Sequence, residues 1–101
     1  LFETMVIGEM IKQRYNAGLP MNLYFWRDNA GHEVDVIVDR AGKLFPIELK
    51  SSHTASDKYL DGIRYWNKLS NTNEGAVVYA GKLEHEPIKG FRFVNWKNID
   101  L

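Results

Sequence analysis

The 101-residue chain contains no cysteine, so disulfides and thiolate metal sites are excluded, and its chemistry fits a reducing, cytoplasmic setting. It also has no surplus of either charge: thirteen Lys and Arg balance thirteen Asp and Glu. Dedicated nucleic-acid binders carry a basic excess or a basic stripe, so neutrality argues against strong DNA affinity by this piece alone. No apolar run approaches the roughly 20 residues of a membrane span. A Gly-x-x-x-x-Gly-Lys-Ser/Thr loop is missing, and any ATP site would have to lie upstream. His32, His53 and His85 are too dispersed for a zinc motif. Ser51 and Ser52 lack the Gly-x-Ser-x-Gly setting of a nucleophilic serine.

Apolar residues make up 45% of the chain and charged residues 26%, the proportions of an ordinary globular fold. The length suits one domain over 1–101. Leu1 to about Ala17 reads as a helix stopped at Gly18, apolar around most of its circumference and so expected to be buried on more than one side. Asn22 to Arg27, Glu33 to Asp39 and Leu44 to Lys50 read as strands of a meander, turning at Asp28-Asn-Ala-Gly31 and Arg40-Ala-Gly42. Thr54 and Asp57 suggest the cap of a second helix running to about Leu69, with Tyr59, Ile63 and Trp66 as its apolar stripe. Strands at Ala76 to Tyr79 and Phe91 to Val94 complete the order α-β-β-β-α-β-β, an α/β fold with a mixed sheet flanked by helices.

The strongest chemical signal lies between Glu33 and Lys50. Side chains alternate along a strand, so Val34, Val36 and Val38 share one face while Asp35 lies on the other. Glu48 and Lys50 likewise oppose Phe45, Ile47 and Leu49. If both apolar faces enter the core, a tight turn on Ala41 and Gly42 pairs Asp39 with Leu44 and sets Asp35 across from Glu48. Cross-strand neighbours have Cβ atoms roughly 4.5–5.5 Å apart, within reach of one shared cation. Magnesium suits such a pair, being usually held by one or two carboxylates, and manganese can substitute. Lys50 is then placed to orient or deprotonate an attacking water and offset charge on phosphorus. The carbonyl of Leu49 is a further candidate ligand. The competing interpretation is a solvated hairpin face on which Lys50 merely bridges Asp35 and Glu48.

At these residues the chain resembles the PD-(D/E)XK nuclease superfamily. That resemblance implies a restriction-endonuclease-like fold with the acidic pair and lysine on the second and third strands. Leu1-Phe-Glu-Thr-Met-Val6, Leu23-Tyr-Phe-Trp-Arg-Asp28, Glu33-Val-Asp35 and Phe45-Pro-Ile-Glu-Leu-Lys-Ser-Ser52 are similar to a domain of unknown function found at the C-terminus of bacterial and archaeal P-loop ATPases. The resemblance covers about residues 1 to 80. It implies metal binding by Asp35 and Glu48, a catalytic Lys50, and a further carboxylate from the first helix, Glu3 or else Glu9. Six helical residues rotate by about 240°, so those two cannot both face one site. Val34 stands where the superfamily's name has proline. Two functions are carried forward: magnesium-dependent hydrolysis of DNA phosphodiesters, and a catalytically silent module that regulates or targets an ATPase domain preceding it in the chain.

Other side chains have plainer expectations. Arg27, Lys12 or Arg14 could meet phosphate, but Arg27 is better placed for an ion pair with Glu33. His53 suits a turn or helix cap. Trp26, Trp66 and Trp96 could stack on bases, although their settings favour packing. Lys58, Arg64 and Lys68 alternate with Asp57 and Asp61, which predicts a mixed solvated face on the second helix.

Overall fold

A two-residue turn sets the register of the sheet. In the computed structural model, which describes residues 1–83 and 85–99, Ala41 and Gly42 take φ of 54° and 90°. Positive φ at both central positions is the geometry of a hairpin turn whose twist matches its strands. Asp39 Oδ1 closes the turn by accepting from the Gly42 N–H at 2.8 Å. The strands on either side, β2 (Glu33–Arg40) and β3 (Lys43–Leu49), are antiparallel, with Asp39 opposite Leu44 and Val36 opposite Ile47. A slip of one residue would expose Val34, Val36 and Val38, all within 2% of complete burial. Each is worth roughly 1.5–3 kcal/mol when buried, so the observed register wins by a wide margin.

The remaining elements extend this hairpin. β1 (Leu23–Arg27) lies antiparallel to the outside of β2, while β4 (Ala76–Tyr79) and β5 (Arg92–Asn95) continue in parallel from β3, giving the order β1-β2-β3-β4-β5. β5 begins one residue later than expected, because Phe91 instead bridges back to Ile88. Between Tyr24 and Trp26 on β1, β2 advances from Ile37 to Val34. Three steps against two place an extra residue in β2 beside Asp35, the kind of irregularity that re-aims a side chain.

Helices cover both faces. On one, α1 (Phe2–Asn16) sets Val6 and Met10 against Val36, Val38, Ile47, Leu49 and Val78. On the other, α2 (Asp61–Ser70) brings Ile63 to a cluster with Leu60, Val77, Tyr79 and Phe93. Two sequence expectations need correction. α1 is not buried on several sides: Leu1, Met5 and Ile11 are exposed. The second helix does not start from a Thr54 cap either. A 3-10 turn at Asp57–Leu60 leads into α2, and the Thr54 N–H binds Ser52 Oγ at 3.0 Å. Among the described residues no helix is long and apolar enough to cross a membrane.

The loop from α2 to β4 hangs on one buried side chain. Asn67 donates to the Glu74 carbonyl at 2.8 Å and accepts from Thr72 Oγ1 and the Glu74 N–H at 2.8 and 3.2 Å. Losing all three bonds at a buried position costs about 1–3 kcal/mol. Asn67→Ala should lower the unfolding free energy by that amount, read as a lower urea midpoint at an unchanged unfolding slope.

Candidate functional site

The ladder between β2 and β3 runs as far as Val36 and Ile47, and one step further it sets Asp35 opposite Glu48. There the Asp35 carboxylate does the work of a ladder carbonyl: its Oδ2 accepts from the Leu49 N–H at 2.8 Å. Lys50 continues the parallel side, its N–H bonded to the Val78 carbonyl at 2.9 Å. Strand alternation therefore sends Glu48 and Lys50 to the face that α2 covers. Leu49 goes into the opposite core, 1% exposed, so only its backbone could serve a ligand at this end.

Gly62 decides how closely α2 approaches. A Cβ there would lie 2.6 Å from the Glu33 carbonyl oxygen and 3.0 Å from Glu48 Oε2, so no larger residue fits unless the helix shifts. With the helix seated, Glu48 is only 6% exposed. Burial, a hydrogen bond to Asp35 and the charges of Asp35 and Glu33 together push the Glu48 carboxyl up to about 9, with Lys50 pulling the other way. At neutral pH the Glu48 carboxyl therefore keeps its proton.

This excludes the solvated-hairpin interpretation. Glu48 is covered, and Lys50 bridges nothing: among the described residues its ammonium forms no ion pair, and Nζ lies 5.5 Å from the Tyr59 ring centroid. The helix carboxylate is not drawn in. Glu3 is exposed on α1, Glu9 is half-buried, and among the described residues no three His, Asp or Glu side chains converge as metal donors. Asp35, Glu48 and Lys50 come together without either glutamate of α1.

A solvent-facing cleft of about 240 Å³ opens over Glu48 and Lys50, walled by His32, Glu33, Lys58 and Tyr59. A larger hollow of about 440 Å³ lies between the hairpin tip at Lys43 and the Thr72 loop, with neither carboxylate in its lining. The family model for DUF4143, a domain of unknown function, matches residues 1–99. The chain belongs to the DUF4143 family. No curated protein and no solved structure matches it.

Within this DUF4143 domain several side chains lie where sequence reading gave them plain packing or no role. Arg27 and Glu33 do form the expected ion pair, at 3.6 Å, but Glu33 also acts electrostatically on Glu48. Trp26 packs edge-on against Trp66 at 5.4 Å, both half-buried and outside the two core clusters. Ser52 and Thr54 close a local turn, and His53 is exposed. Gly62 carried a readable signal, a glycine inside an amphipathic helix that costs stability unless close approach demands it. At the β1–β2 turn, Asp28 accepts from the Ala30 and His32 N–H groups and from His32 Nδ1. Burial alone would raise the Asp28 carboxyl, but His32 and the Tyr65 hydroxyl outweigh it and hold it below the usual carboxylate value.

The raised Glu48 carboxyl has a definite sign in stability. Between about pH 5 and 9 the native state keeps a proton that the unfolded chain gives up, so metal-free stability falls as pH rises through that window. Glu48→Gln keeps the shape without the titration and should flatten this dependence. Urea midpoints in EDTA at pH 5.5 and 8.5 should converge in the variant, and the variant should be the more stable protein at pH 8.5 by about 1–4 kcal/mol.

Proposed function

We propose that this domain is a magnesium-dependent phosphodiesterase of the nuclease type acting on DNA, with Asp35 and Glu48 as metal ligands and Lys50 as the catalytic lysine. The observation that supports it best is the acid pair itself. Glu48 is buried beside the half-buried Asp35, among the described residues neither has a basic side chain in ion-pair range, and a proton on Glu48 stands in for a cation. Such a pair costs folding energy that an apolar pair would not, and strongly shifted acids in a cleft are a feature of functional sites.

The donors fit magnesium. They are all hard oxygens, two carboxylates suffice because this ion keeps several waters, and the cleft leaves one side open to solvent. The backbone carbonyl of Leu49 could complete the protein's share. Bound there, the ion would act as a Lewis acid on the phosphate and lower the pKa of a water. The chain's own residues do the rest. The Leu49 N–H holds Asp35 in one orientation, and α2 keeps bulk water from Glu48. The Lys50 ammonium, steered by the Tyr59 ring, compensates charge growing on the phosphoryl oxygens and can exchange a proton with the attacking water. We assign no role to Glu3. In the same proposal the domain works in the cytoplasm beside a P-loop ATPase domain of its parent chain. The overall charge neutrality supports one rival, a silent regulatory module of that ATPase.

Calorimetric titration with magnesium or manganese separates the two. The wild-type domain should bind saturably and Asp35→Asn should not. Because Glu48 must lose its proton to bind a cation, apparent affinity should rise with pH up to about 9, by at most about tenfold per unit. Lys50→Ala should lower cleavage of DNA by about 100-fold or more while metal binding and the urea midpoint persist. Absence of binding at millimolar metal would leave the silent module as the better account.

A further inference from the structure

His32 borders the same cleft, and its ring is held from two directions. Nδ1 lies 3.0 Å from Asp28 Oδ2, and the imidazole stacks on Tyr65 with centroids 3.6 Å apart and planes tilted by 5°. The Tyr65 hydroxyl bonds to the same aspartate. With its own N–H at 2.8 Å from Asp28 Oδ1, His32 is tied at backbone and side chain alike. The ring nitrogen left over is Nε2, which has no hydrogen-bond partner among the described residues. Fixing one ring nitrogen with a carboxylate and leaving the other available is how proteins present a directed imidazole.

Two ammonium groups border the cleft with it. Lys50 and Lys58 approach the Tyr59 ring at 5.5 and 5.9 Å, and among the described residues neither forms an ion pair. The carboxyl groups that share the cleft with them are Glu33, already engaged by Arg27 at 3.6 Å, Asp61 in the first turn of α2, and Glu48, which burial keeps protonated. Surface lysines usually find such acids or open solvent, whereas this arrangement gathers two ammonium groups and the unpaired nitrogen of a fixed imidazole about one opening beside the acid pair.

We infer that His32, Lys58 and Lys50 together hold a phosphate of a nucleic-acid strand, with His32 as an imidazolium that donates from Nδ1 to Asp28 and from Nε2 to the phosphate, and the lysines as point charges. The inference starts from the hydrolytic reading, for which it names where the substrate's backbone lies. A planar, immobilised imidazole gives that contact orientation at little entropic cost, while each lysine contributes charge without direction.

The contact is testable without metal and without catalysis. A thymidine hexanucleotide is titrated in EDTA into the isotope-labelled domain, following the His32 ring resonances by NMR, with inorganic phosphate as a second probe. The hexanucleotide should shift His32 saturably, and its affinity should fall about tenfold in His32→Ala. Lys58→Ala, at an exposed position that cannot unfold the protein, should lose several-fold. His32→Gln, which keeps a donor, should recover part of the loss, which a purely structural histidine would not predict. Unmoved His32 resonances, unchanged affinity in both alanine variants, or a response to inorganic phosphate alone would each overturn the inference. The wild-type magnesium titration distinguishes it from the hydrolytic reading: oligonucleotide binding by a wild-type domain that takes up no magnesium would retire the metal site and leave this contact standing. Magnesium uptake with an unresponsive His32 would do the reverse.

Discussion

The pairing of β2 with β3 is the constraint on which the rest of the structure depends. Positive φ at Ala41 and Gly42 forces a two-residue hairpin, and the hairpin aligns Asp39 with Leu44 and Val36 with Ile47. Side chains repeat every two residues, so this one alignment settles which face each residue from Val36 to Ile47 occupies and brings Asp35 and Glu48 together one step beyond. Val36, Val38, Ile47 and Leu49 reach α1, while Glu48 and Lys50 reach the side of α2, where the Asp35 carboxyl meets Glu48. The same turn that builds the core therefore builds the acid pair. Neither can be moved without the other.

Burial of the acid side is what distinguishes the pair from ordinary surface charge. An exposed carboxylate opposite another would ionise and be screened by water. Here α2 comes down at Gly62 until its backbone nearly touches the Glu33 carbonyl and Glu48 Oε2, and water has little access. The cost appears as the raised Glu48 carboxyl. Folding tolerates it because the flanking valines, Ile47 and Leu49 are almost completely buried, and their burial outweighs one displaced ionisation. The Leu49 N–H bonded to Asp35 Oδ2 links the two terms, since the strand end that buries Leu49 also orients the aspartate.

Much of this was legible in the residues. Order and approximate bounds of the elements follow from period-two runs and from Gly18, Gly31 and Gly42 at positions of positive φ. The register between Asp39 and Leu44 follows from the valine alternation, and with it the facing of Asp35 and Glu48. Less was legible for α1, whose apolar residues suggested burial all round although Leu1, Met5 and Ile11 are exposed. Composition reports what a surface would prefer and not what is present to cover it. Asp28, His32 and Tyr65 were also out of reach, because a turn and a helix more than thirty residues apart meet only when α2 docks.

What the sequence determined by itself is local: turn chemistry at Ala41-Gly42, strand periodicity, and hence the face on which Asp35, Glu48 and Lys50 sit. These depend on steric limits and hydrophobic alternation within a few residues. What only the tertiary structure decided is the environment of that face. Whether Glu48 meets water or a helix, whether Lys50 pairs with an acid or lies by Tyr59, and whether His32 stacks on Tyr65 all depend on where α2 comes to rest. That position is set by summed contacts between distant segments, with a glycine permitting the final approach, and no local pattern encodes it.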